Sequence, residues 1–207
     1  MTLLKSINKS FFEKSTIDVA KSLLGKYIVH KTNKGDIVGK IVEVEAYLKD
    51  DPSSHSFKGK NERNKSMFLH SGTIYIYLIY GMYYCFNVVT NKKDVGEAVL
   101  IRALEPVSGI YLMEENRGVE NINYEYNTKK IINLCNGPGK WVMAFGLDKR
   151  YDGVDLLSSK SNLKIMYQEP KKKKEFEIVE TTRIGITKGA YLPHRFYIKN
   201  NEFISKK

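Results

Sequence analysis

Side chains with chemical capacity crowd the stretch between Ile41 and Arg102. Carboxylates come first, on Ile41-Val42-Glu43-Val44-Glu45-Ala46-Tyr47. A polar loop holding His55 follows. Next is the aromatic run Ile74-Tyr75-Ile76-Tyr77-Leu78-Ile79-Tyr80-Gly81-Met82-Tyr83-Tyr84-Cys85-Phe86-Asn87, and last a segment ending in Arg102. A carboxylate can act as general base toward water, with its basicity set by burial and nearby donors. Tyrosine faces can stack a flat heterocycle whatever its substituents. With an imidazole and a guanidinium added, these are the parts of a pocket that holds an electron-poor ring and hydrolyses a bond beside it.

Strands must present those groups. Alternation along a strand from Ile37 to Tyr47 puts Glu43, Glu45 and Tyr47 on one face and Val42, Val44 and Ala46 on the other. A solvent-facing polar strand face is the competing reading of that pattern. In the aromatic run, Tyr75, Tyr77 and residue 79 point one way, and Ile74, Ile76, Leu78 and Tyr80 the other. Tyr80 then lies beside Gly81 at a hairpin tip, where an exposed aromatic is poor core design unless it meets a partner.

Around these elements, Ser15-Thr16-Ile17-Asp18 opens a helix with a capping box, and Gly25 stops it. Tyr27–Lys31 reads as a strand joined to the acidic one by a turn at Asn33-Lys34-Gly35-Asp36. Segments 73–80, 82–90 and 97–104 read as strands, and Pro106 as the start of a helix over 107–117. Residues 116–130 read as an exposed connection. Asn136-Gly137-Pro138-Gly139-Lys140 precedes a helix from Trp141 to Leu147, so Lys140 and backbone amides could meet a phosphate there. Lys171–Lys174 reads as a solvated hairpin tip. Strands near 163–167, 175–182, 183–187 and 195–198 finish an α+β chain. A single domain over 1–207 is expected, built on a curved, mainly antiparallel sheet flanked by helices.

Composition narrows the class of partner. Of 207 residues, 34 are Lys or Arg and 23 Asp or Glu, a net charge of +11 that attracts polyanions. The 42% of hydrophobic residues suffices for a packed core, which excludes a disordered tail. No apolar run approaches the roughly 18 residues of a membrane span, and no signal-peptide pattern opens the sequence. Cys85 and Cys135 are expected to be reduced, buried thiols, and the protein intracellular, cytoplasmic and nucleoid-associated. The histidines His30, His55, His70 and His194 are scattered without metal-ligand spacing, so no metal and no cofactor are expected. No lysine is expected in the pocket, which points to attack by water and not to a Schiff base.

Five blocks carry a resemblance. They are the acidic strand 41–47, Glu62-Arg63-Asn64-Lys65-Ser66-Met67-Phe68, Gly72–Asn87, Val99-Leu100-Ile101-Arg102-Ala103-Leu104-Glu105-Pro106 and Leu134–Lys140. With Arg183-Ile184-Gly185-Ile186 and Arg195-Phe196-Tyr197-Ile198, the chain resembles the alkyladenine (methylpurine, 3-methyladenine) DNA glycosylases along nearly its whole length. The resemblance implies a fold related to the formyltransferase C-terminal barrel and a monomeric enzyme acting on double-stranded DNA with damaged purines. It implies Glu45 as the base that activates water toward C1′ of the sugar, and Arg102 as the residue that holds Glu45 and that water. Tyr47 and Tyr77 match the walls around a flipped base, His55 the residue that closes the pocket, and Asn87 the one that abuts the base edge. Tyr80 matches the wedge that fills the gap left in the duplex. Arg63 and Lys140 are candidates for the DNA backbone. Two readings from other classes stay open: a non-catalytic binder of distorted DNA, and a transferase-like activity on a small formylated or nucleoside substrate.

Overall fold

The computed structural model describes residues 3–119, 128–169 and 176–206; the Lys171–Lys174 run lies outside them. The chain opens with strand β1 (Leu3–Ser6) and a single helical turn, α1 (Lys9–Phe12). Helix α2 (Thr16–Leu23) starts at Ser15, whose hydroxyl accepts from the Asp18 amide and donates to the Asp18 carboxylate at 2.6 Å. Strands β2 (Tyr27–Thr32) and β3 (Gly35–Tyr47) form the expected hairpin, turning at Asn33-Lys34. After a long loop come β4 (Ile74–Ile79), β5 (Tyr83–Thr90) and β6 (Glu97–Ser108). Helices α3 (Ile110–Arg117), α4 (Thr128–Cys135) and α5 (Pro138–Ala144) follow. Strands β7 (Leu163–Glu169), β8 (Ile178–Thr181) and β9 (Arg195–Ile198) complete the order.

All the named strands join one antiparallel sheet in the order β1-β7-β2-β3-β6-β5-β4, with β9 pairing both β3 and β8. Thirteen-residue β3 is its axis. One edge of β3 runs along β6; the other pairs with β2 over its first half and with β9 over Glu43–Glu45. Register breaks against β6 fall between Ile41 and Glu43 and between Glu43 and Val44. Such bulges bend a strand and re-aim its side chains. Here both breaks flank Glu43, and the ladder is regular again at Glu45.

Helix α5 anchors the face behind the site. Trp141 is fully buried, donates from Nε1 to the Ile101 carbonyl at 2.9 Å, and meets Phe86 and Phe145 edge-on at 5.1 and 5.5 Å. Gly139 lets the helix press on the hairpin, since a Cβ there would sit 2.9 Å from that of Tyr83. Among the described residues no helix is long and apolar enough to cross a membrane. Both cysteines are free and buried.

Several boundaries depart from expectation for identifiable reasons. Pro106 does not open a helix: it lies inside β6, paired with Gly39 at a register shift. A bulge tolerates a proline that a regular ladder would reject. The turn to α3 falls instead at Gly109, at φ 73, where any Cβ would strike the Asp36 carbonyl. Helix α5 begins three residues before Trp141, because Pro138 occupies its first turn with φ already helical. The end of the supposed connection 116–130 is the start of α4, which buries Leu134 and Cys135; 120–127 lie outside the described residues. Residues 183–187 are not a strand but an irregular loop.

His30 is a structural histidine with a pH consequence. Its Nδ1 faces the Phe145 carbonyl at 2.8 Å, so the proton belongs there; Nε2 then accepts from Tyr151 Oη at 2.8 Å and Asn162 Nδ2 at 3.1 Å. Burial pushes its pKa below the ordinary value. The unfolded chain takes up that proton at about pH 6.5, before the folded one does, so the stability it contributes is present above that pH and lost as pH falls. Denaturant titrations from pH 7.5 to 5 should show stability falling, and His30→Gln should shallow the slope.

Candidate active site

The two carboxylates of β3 are both completely buried, so the solvent-facing reading of that strand is wrong. Their hydrogen-bond partners differ. Glu43 receives four donors: Arg195 Nε at 2.6 Å, Arg102 Nε at 3.3 Å, and the hydroxyl and amide of Ser205 at 2.9 and 2.5 Å. On Glu43, Oε1 takes Arg195, Arg102 and the Ser205 hydroxyl while Oε2 takes the Ser205 amide, so its partners are two arginines and the C-terminal stretch. Glu45 receives three: Arg102 Nη1 at 3.1 Å and the Ile184 amide at 2.9 Å on Oε1, and the Tyr47 hydroxyl at 2.9 Å on Oε2. One acceptor position remains on Oε2. Arg102 bridges the pair, and although burial opposes its charge, Glu45 and Glu43 together raise its pKa above the ordinary value.

Tyr47 joins this ionic cluster to a cavity. Burial, reinforced by Glu45, pushes its phenol far upward, so the hydroxyl stays protonated and donates. Its ring lines a cavity of about 210 Å³ together with His55, Arg63, Tyr77 and Asn87. Tyr75 and Tyr77, side by side on β4, lie 5.5 Å apart and tilted by 36°. His55 meets Tyr77 edge-on at 4.5 Å and bonds through Nδ1 to the Tyr75 hydroxyl at 2.8 Å. Burial and then Arg63 lower its pKa, so the ring is neutral at pH 7. Cys85, paired with Tyr77 across β4 and β5, has its thiol pushed up to about 11 by burial, which makes it inert packing.

The methylpurine-DNA glycosylase family model matches residues 10–202. This chain belongs to the methylpurine-DNA glycosylase family. Individual relatives agree along their lengths. A protein of Francisella tularensis subsp. tularensis is 46% identical over 192 residues, covering 93% of this chain and 94% of the relative. One from Carboxydothermus hydrogenoformans is 45% identical over 199 residues (96% and 98%), and one from Methanoculleus marisnigri 42% over 198 (96% and 97%). Each is named provisionally as a 3-methyladenine DNA glycosylase.

Within this methylpurine-DNA glycosylase family chain, the residues singled out from sequence fall into three groups. Glu45, Arg102, Tyr47, His55, Tyr77, Asn87 and Arg63 are brought together at or directly behind the cavity. Tyr80 stands apart at the β4–β5 tip, 81% exposed and at φ 52, a left-handed conformation costly for a residue with a Cβ. Lys140 is not brought to the cavity. Its ammonium bonds Asn133 Oδ1 at 2.5 Å and Asn136 Oδ1 at 2.9 Å, and burial lowers its pKa.

Sequence reasoning missed several members of the site. Tyr75 and Glu43 share strand faces with Tyr77 and Glu45, so period-two alternation could have assigned them. Arg183, Arg195 and Ser205 come from the C-terminal stretch, which carried no spacing signal linking it to β3. Arg195 reaches Glu43 only because β9 pairs there, in the register Glu45↔Arg195. The backbone amide of Ile184 leaves no trace in a residue pattern.

Proposed function

We propose that the protein is a monofunctional DNA glycosylase that rotates an alkylated purine out of duplex DNA and hydrolyses its N-glycosidic bond, leaving an abasic site. The observation that carries this reading is the hydrogen bond from Tyr47, a wall of the stacking cavity, to Glu45 Oε2, an oxygen that keeps an acceptor position to spare beside that wall. A water held there donates its proton to Glu45 as its oxygen attacks C1′. The C1′–N bond breaks with its electron pair passing to the purine, which departs as the free base. An N-alkylated purine already carries positive charge, so departure needs no strong acid. A cation against a tyrosine face gains about 0.5–2 kcal/mol over a neutral ring, which favours damaged bases. Asn87 is set to read the base edge: its Nδ2 donates to the Tyr75 carbonyl at 3.1 Å, fixing the amide.

Extrusion of a nucleotide costs a few kcal/mol, least for a damaged pair. Tyr80 offsets part of that cost by entering the stack, as apolar wedges do in minor-groove proteins. Its exposure and left-handed backbone serve no packing purpose, and a non-glycine residue held this way costs on the order of 1–3 kcal/mol. Two opposite effects are therefore expected of Tyr80→Gly. The free protein becomes more stable to denaturant, while affinity for lesion-bearing duplex falls about 5- to 100-fold from loss of one stacking ring. A variant less stable than the parent, with unchanged affinity, contradicts the wedge.

The basic loop that carries Lys58, Lys60 and Arg63 faces the rim of the cavity through Arg63 and is suited to phosphates flanking the lesion. The test of the whole reading is incubation with duplexes carrying single N-methylated purines, with products identified by mass. Free base plus an unbroken strand bearing an abasic site supports it. Tight, salt-sensitive binding with no base released points to a non-catalytic lesion binder.

A further inference from the structure

Against the face of the Tyr47 ring lies an ion pair that none of the chemistry above uses. The Arg183 guanidinium carbon sits 4.8 Å from the centre of the Tyr47 ring. Its Nη1 pairs with Asp51 Oδ2 and donates to the Ala46 carbonyl at 3.0 Å; Nη2 donates to the Gly189 carbonyl at 3.2 Å. The Arg183 side chain is wholly shielded from solvent, and its Nε has no hydrogen-bond partner among the described residues. A guanidinium that leaves one donor unsatisfied in order to lie against a ring is placed for the ring. Asp51 is held in turn by the amide and hydroxyl of Ser53 at 2.9 and 2.7 Å, and His194 Nδ1 stands 3.9 Å from its Oδ2.

We infer that Arg183 and Asp51 form a positioning and specificity-determining pair that sets how strongly Tyr47 discriminates a cationic base from a neutral one. The inference rests on the glycosylase reading above. A tyrosine face attracts a cation through its ring quadrupole. Arg183 already occupies one face, so the electron density offered to the cavity by the other is reduced. Asp51 cancels most of the long-range repulsion that a lone buried guanidinium would exert on a cationic substrate. The pair therefore tempers the preference for alkylated, charged purines and leaves room for neutral damaged bases. Arg183 also fixes the ring mechanically, since it grips the carbonyl of Ala46, between Glu45 and Tyr47, and its neighbour Ile184 donates to Glu45.

Charge gives the two partners opposite effects, which a purely structural role would not. Single-turnover excision would be measured on duplexes containing 7-methylguanine, a cation, and hypoxanthine, neutral, and expressed as the ratio of the two rates. Arg183→Met removes the cation and exposes the Asp51 carboxylate, and should raise the ratio about threefold or more. Asp51→Asn leaves the guanidinium uncompensated and should lower it by a similar factor. Arg183→Lys retains the charge without the flat stack and should leave the ratio near the parent value while slowing both substrates. Ratios that stay at the parent value in both charge-altering variants, or that move in the same direction, overturn the inference. If Arg183→Met does not fold, the sign of the Asp51→Asn change decides. A parent protein that releases neither base overturns the glycosylase reading and this inference with it, which separates the two failures.

Discussion

Replacing Glu45 by Gln should lower the rate of base release by about 10²- to 10⁴-fold while leaving affinity for lesion-bearing duplex within a few-fold of the parent. The amide keeps the shape of the side chain: its oxygen in the Oε1 position still accepts from the Ile184 amide, and its NH2 can donate to the Tyr47 hydroxyl, which can turn to accept, so the cavity wall stays in place. What it loses is the ability to take a proton from water and to stabilise positive charge developing at C1′. The contrast between rate and affinity is the diagnostic. Equal losses in both would mean that the ionic cluster had been disrupted, and undiminished release would place the general base elsewhere. Rates under single-turnover conditions and binding by fluorescence anisotropy on the same duplex separate these outcomes.

Glu43→Ala should act on stability first. Glu43 is the only carboxylate within ion-pair distance of Arg195 among the described residues, and it shares Arg102 with Glu45. Removing it strands Arg195 in the interior and frees the Ser205 amide and hydroxyl. Breaking a buried pair by deleting one partner costs about 3–5 kcal/mol. For a chain of this size that lowers the midpoint of thermal unfolding by roughly 6–20 °C. Base release from the folded fraction should also fall, since Arg102 loses the contact that orients it toward Glu45. A midpoint shift of a degree or two would show that Glu43 is better solvated than its burial implies. Calorimetry on parent and variant at one pH decides.

These two glutamates show what was legible in the sequence. Period-two alternation put Glu43, Glu45 and Tyr47 on one strand face, and β3 presents them so. It could not distinguish the carboxylate tied to two arginines and Ser205 from the one bonded to the cavity wall Tyr47. That difference comes from Arg195 and Ser205, which lie more than 150 residues along the chain, as the 152- and 162-residue separations of their bonds to Glu43 show. The aromatic hairpin was equally readable, including the isolation of Tyr80 at its tip, because an exposed ring beside a glycine contradicts core design. Element edges were less so. Proline's fixed φ suits a helix start, which is what Pro106 suggests in the sequence, but a register shift opposite Gly39 accommodates it in β6. Helix α4 was hidden by Lys129, Lys130 and Asn133, whose polarity masked the face that buries Leu134 and Cys135. Residues 183–187, expected as a strand, form an irregular loop. In the fold it gives one amide to Glu45 and walls to the cavity.

Where the damaged base sits relative to Tyr47 and Glu45 decides the mechanism, and a crystal structure of the Glu45→Gln protein on a duplex with one N-methylated purine would show it. The purine is expected out of the stack and seated between Tyr47 and Tyr77, its edge on Asn87 and its C1′ toward position 45, with Tyr80 in the vacated gap. A purine still paired within the helix, or one held against a surface remote from Tyr47, would contradict that mechanism.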